Sequence, residues 1–84
     1  MNYTLAVFKT RCATLNFANM LRSFNIPVAI INTPSNIART CGLSVKFLSV
    51  YYPKVQNLIG VGLQNFDGFY SYIERDGRLN LFKL

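Results

Sequence analysis

The stretch YTLAVFKTRCATLNFANMLRSFNIPVAIIN (Tyr3–Asn32) changes its hydrophobic period twice, from strand to helix and back. Tyr3–Phe8 alternates loosely and is rich in strand formers, so it reads as a first strand. Thr10 suits the N-cap of a helix running to about Phe24. The apolar stripe of that helix is Ala13, Phe17, Leu21 and Phe24, with Met20 beside it. Asn25 fits the left-handed residue that ends such a helix, and Val28–Asn32 follows Pro27 as a short, very apolar strand.

Downstream, Thr33-Pro34-Ser35-Asn36 breaks the strand, and Ile37–Thr40 allows one loose turn at most. Leu43–Leu48 is a third strand, with Leu43, Val45 and Phe47 on one face. Pro53 opens a second helix carrying Val55, Leu58 and Ile59, which Gly60 and Gly62 weaken early. Phe69–Glu74 and Leu79–Leu84 form two more strands. A two-residue Asp76-Gly77 turn would set Arg75 against Arg78, a like-charge pair. A three-residue loop with Gly77 left-handed instead pairs Glu74 with Arg78. It also gathers Phe69, Ile73, Leu79 and Leu81 on one face, so that register is expected.

The string predicts one α+β domain over residues 1–84, a ferredoxin-like βαββαβ with an added C-terminal strand. Right-handed crossovers put both helices on one sheet face, with central order 4-1-3-2 and the fifth strand beside the fourth.

Composition narrows the function. With 84 residues the chain hides only ~60% of its unfolded surface on folding. Yet 51% of it is hydrophobic, which excludes a disordered tail and leaves apolar surface for a partner or a second copy. The apolar runs are far shorter than the ~20 residues of a membrane span. Lys9 and Arg11 interrupt any signal-peptide core, so an unprocessed cytoplasmic protein with no membrane contact is expected. There is no histidine, and the acids are Asp67, Glu74 and Asp76 alone. His-based triads are excluded and a paired-carboxylate site is disfavoured, which removes most hydrolytic chemistry. Two cysteines without histidine do not make a zinc site, and no cofactor is implied. The net charge of +6 comes from basic residues spread along the chain, which suits solubility better than a nucleic-acid patch.

Both cysteines fall at one end of the predicted topology. Cys12 lies at the start of the first helix, and Cys41 in the loop before the third strand, with Lys9, Arg11 and Arg39 at the same end. Thiolates are favoured by helix N-termini and nearby cations. Gly42, after Cys41, permits positive φ and leaves room around the sulfur. The alternative for each thiol is a small buried hydrophobe.

The segment Pro34-Ser35-Asn36-Ile37-Ala38-Arg39-Thr40-Cys41-Gly42-Leu43-Ser44-Val45-Lys46-Phe47 resembles the Pro…Cys-Gly-Leu-x-Val/Leu-Arg/Lys-Phe segment of the selenium/sulfur carrier-like family. These are small bacterial proteins. The likeness extends upstream through Phe8, Leu15, Leu21 and Asn25-Ile26-Pro27-Val28, and covers roughly the first seventy residues, with the Asp-Gly hairpin as a terminal elaboration. The resemblance implies that Cys41 holds sulfur or selenium as a persulfide or selenosulfide and passes it between donor and acceptor proteins. By ordinary thiolate exchange, Cys12 is then a candidate resolving thiol.

Two other readings compete with this one. Nucleic-acid binding on the sheet is disfavoured, because outward positions read as Thr4, Ala6, Phe8, Ser44, Lys46 and Leu48 lack a stacking platform. A homodimer is expected, burying an edge strand or an open face of Ala29, Ile31, Leu48, Tyr70, Tyr72 and Phe82.

Overall fold

The structure is a computed structural model, and it describes residues 2–34, 42–59 and 65–84. The elements are β1 (Tyr3–Phe8), α1 (Arg11–Ser23), β2 (Ala29–Asn32), β3 (Leu43–Leu48), α2 (Tyr52–Ile59), β4 (Phe66–Arg75) and β5 (Arg78–Lys83). A single turn of 3-10 helix, Ser49–Tyr51, leads into α2. The five strands form one antiparallel sheet in the order β2-β3-β1-β4-β5. The domain is therefore α+β, with two α-helices among the described residues.

Both ends of α1 follow from local chemistry. The Thr10 hydroxyl accepts the Ala13 N–H at 3.2 Å, as an N-cap does. At the other end the Asn25 N–H bonds the Arg22 carbonyl and the Ile26 N–H bonds the Leu21 carbonyl. With Asn25 at φ +60, this is the Schellman arrangement, and its hydrophobic partners Leu21 and Ile26 are both buried. The chain turns away at Phe24, so that ring is 44% exposed and does not continue the stripe. Thr14 and Ala18 take the buried positions beside Phe17 and Leu21.

The main core lies between the helices and one face of the sheet. Ala6, Phe8, Val45, Phe47 and Phe69 from the strands meet Phe17, Ala18 and Leu21 of α1 and Val55 of α2. Phe8 stacks at 5.0 Å on Phe17 and 5.1 Å on Phe66, and Phe69 meets Phe66 at 5.0 Å and Tyr52 at 5.1 Å. Such tilted and edge-on pairs are the arrangements aromatic quadrupoles favour.

Three expectations about faces and register are corrected. Thr4 pairs with Phe47 and Ala6 with Val45, so Thr4, Ala6 and Phe8 face the helices. Tyr3, Leu5 and Val7 face outward, level with Leu48, Lys46 and Ser44. Secondly, the hairpin turn has two residues: Arg75 pairs with Arg78 and Glu74 with Leu79. Asp76 (φ +50) and Gly77 (φ +75) both have positive φ, which matches hairpin twist in a type I′ turn. Both arginines are exposed, where water screens their repulsion, so turn geometry outweighs charge. Thirdly, this register places Leu79 and Leu81 with Tyr70 and Tyr72 rather than with Phe69 and Ile73. Phe82 moves with it to the helix side, opposite Ser71, and is 60% exposed. β4 is also longer than expected, beginning at Phe66 and absorbing a bulge where β1 shifts register between Val7 and Phe8.

Candidate functional site

β1 ends at Phe8, where the Lys9 N–H bonds the Asn65 carbonyl at 2.7 Å. Thr10 caps α1, so Arg11 and Cys12 occupy the first two helical positions. Lys9, Arg11 and Cys12 are all exposed, and Cys12 is a free thiol. The thiol lies on the wall of a cleft of about 330 Å³, between the first turns of α1 and Asn65, with Phe8 and Phe17 among its lining residues.

Gly42 belongs to the same end of the sheet, since β3 starts at Leu43 and pairs Ser44 with Val7 near the end of β1. Its φ is +88, and nothing lies within 4 Å of where a side chain would begin. Only glycine adopts that conformation without strain. The residue is also held: its carbonyl accepts the Thr33 N–H at 2.8 Å, one step beyond the last β2–β3 pair, Asn32 with Leu43. The Thr33 and Ser44 hydroxyls bond at 2.6 Å beneath it, with Ser44 fully buried. Gly42 is therefore clamped by its neighbours on β2 and still has open surroundings.

Of the residues singled out by the sequence, Lys9, Arg11, Cys12 and Gly42 are described, and they share one end of the molecule. Cys41 and Arg39 lie outside the described residues, as do the expected turn at Ile37–Thr40 and the weakening of the second helix at Gly60 and Gly62. The Thr33–Ser44 clamp escaped sequence reasoning, because two hydroxyls eleven residues apart carry no local signature. Among the described residues, no three His, Cys, Asp or Glu side chains gather as metal ligands, and no helix is long and apolar enough to cross a membrane.

A family model described as "Putative Se/S carrier protein-like" matches residues 2–71. The chain belongs to this family. No curated protein and no solved structure matches the chain. The family segment takes in both cysteines and Gly42 and stops at Ser71, inside β4. The rest of β4, the Asp76-Gly77 turn and β5 lie beyond it, so the outermost strand of the sheet is an addition to the family's matched segment.

Proposed function

We propose that the protein carries sulfur or selenium on Cys41, as a persulfide or selenosulfide, between a donor and an acceptor protein. The observation that carries this reading is the Cys41-Gly42 step inside the family segment, with Gly42 clamped, left-handed and uncrowded. In the sulfur case, the Cys41 thiolate attacks the outer sulfur of a donor persulfide. A new S–S bond forms on Cys41, the donor's S–S bond breaks, and the donor leaves as a thiolate. An acceptor nucleophile then takes the outer sulfur and returns Cys41 to the thiolate. Where Cys12 resolves instead, its thiolate attacks the inner sulfur, forming a Cys12–Cys41 disulfide and expelling hydrosulfide. A thiol reductant must then reopen the bond.

Lys9, Arg11, Arg39 and Gly42 are the binding residues assigned in this scheme. On topology, we read β2-β3-β1-β4 with both helices on one face as ferredoxin-like, with β5 added. The competing reading, a non-catalytic module that pairs through its open sheet, has less in its favour. A second copy there would bring together two chains that each carry a net charge of +6, with Lys46 and Lys83 desolvated between them.

Intact-mass measurement on protein purified without reductant tests the reading. A gain of one sulfur or one selenium atom is expected on the wild type and on Cys12→Ser, and none on Cys41→Ser. Iodoacetamide should label Cys41 faster than Cys12. An adduct that survives Cys41→Ser, or equal labelling of both thiols, would overturn it.

A further inference from the structure

Beyond the carrier reading, the sheet has a second surface whose chemistry is independent of either cysteine. Among the described residues both helices lie on one side of the sheet, and none covers the other. The centre of that open face is aromatic. Tyr3 on β1 stands opposite Tyr72 on β4, their rings edge-on at 6.3 Å, and Tyr70 pairs with Leu5 one step along. All three tyrosines are half-buried, so each ring keeps an accessible part.

Cations lie over these rings, and each must swing from a ring face to a neighbouring anion before a planar group can take its place. Lys46 on β3 places its ammonium 4.2 Å from the Tyr3 ring centre and 4.8 Å from that of Tyr72. Lys83 on β5 pairs with Tyr70, and its ammonium lies 6.0 Å from that ring. Its aliphatic chain crosses Gly68, with Cε 3.1 Å from where a Cβ would stand, so the glycine lets it lie flat. Lys46 and Lys83 are three strand spacings apart, about 14 Å. Two carboxylates border the face: Asp67, which accepts the Tyr70 hydroxyl, and Glu74, exposed toward the turn.

We infer that this open face docks single-stranded nucleic acid, with bases stacking on Tyr3, Tyr70 and Tyr72 and phosphates meeting Lys46 and Lys83. Rings in the middle of a sheet and cations on either side suit a ligand with alternating planar and anionic groups. A second copy of the chain suits it less, since it would bring another net charge of +6 against these lysines. The chain's net charge of +6 favours the approach of a polyanion. RNA and DNA share this chemistry.

The test is fluorescence anisotropy with a short labelled oligouridylate, its deoxy analogue, and a duplex of similar length. Both single strands should bind better than the duplex, and affinity should fall as salt rises. Tyr72→Ala and Lys46→Ala should each weaken binding about tenfold or more, while Tyr72→Phe keeps it. Lys54→Ala removes the same charge from exposed α2 and should change affinity little. Circular dichroism establishes that each variant is folded, and amide shifts of the wild type on titration should concentrate on β1, β3, β4 and β5. Preference between the two single strands tells RNA from DNA. Equal losses for Lys46→Ala and Lys54→Ala, tighter duplex binding, shifts on the helix side, or a dimer that Tyr72→Ala dissociates would each overturn the assignment. So would an absence of binding. Cys41→Ser should bind normally, which separates this surface from the carrier thiol.

Discussion

β1 is sealed on both sides, but by different means. Toward the helices, Ala6 and Phe8 are covered by α1 and by aromatic rings from β4. On the open side, Leu5 and Val7 are equally inaccessible, both at 0% exposure, yet what covers them is the sheet's own Ile31, Tyr70, Tyr72 and Leu81. A sheet face without a helical layer has here made a thin roof from large side chains on neighbouring strands. The roof's inner surface is apolar, while its outer surface carries phenol hydroxyls and ammonium groups. Burial in β1 therefore says nothing about which face is the interior.

That contrast can be broken by mutation. Phe8→Ala removes a ring held between Phe17 and Phe66, and should cost about 3–5 kcal/mol in chemical denaturation. In a domain of this size such a loss removes much of the folded population. A cost below about 1 kcal/mol would mean that the aromatic layer is not the principal core. Tyr72→Ala opens the roof instead. Tyr72 is only partly buried, and the variant loses one edge-on aromatic contact and one cation–π contact, so about 1–2 kcal/mol is expected from the same measurement. Equal losses for the two variants would erase the distinction between core and roof.

The uniform burial of Thr4–Phe8 also explains what the sequence revealed and what it hid. A strand covered on both faces reads as a continuous apolar run, so period-2 alternation cannot orient it. Tyr3–Phe8 was recognisable as a strand, but its faces were assigned in reverse. β3 was different: it was found with its observed boundaries and orientation, because Lys46 interrupts the run and marks the outward side. The α1 caps were legible because Thr10 and Asn25 act through backbone bonds a few residues away. At the candidate site, Gly42 was legible for a similar local reason, its tolerance of positive φ. Thr33 and Ser44 were not, since their contact exists only after β2 and β3 pair.

The β4–β5 turn sharpens the comparison further, because its register decides which leucine joins the roof. With Arg75 opposite Arg78, replacing Arg78 by Glu converts repulsion into attraction and should raise stability by a few tenths of a kcal/mol. The three-residue loop would put Arg78 opposite Glu74, and the same substitution would then destabilise. The sign of the change in urea midpoint distinguishes them. Destabilisation by Arg78→Glu would also remove Leu81 from its place beside Tyr72.

The smallest expected effect concerns the roof's polar rim. Partial burial, with the hydrogen bond to Asp67 and the charge of that carboxylate, pushes the Tyr70 phenol above its ordinary 10.0. The folded state thus holds the phenolic proton more tightly than the unfolded chain does. The stabilisation this represents is fully present below pH 10.0 and is lost as pH rises from there through the higher folded value. Thermal melts of the wild type should fall more steeply above that pH than those of Tyr70→Phe, which cannot ionise. The difference between the two proteins isolates the phenol and so carries the information, which neither curve does alone. Parallel curves would show that the Asp67 contact is too loosely held to favour the neutral phenol. The outer surface of the roof would then be solvated independently of the packing beneath it.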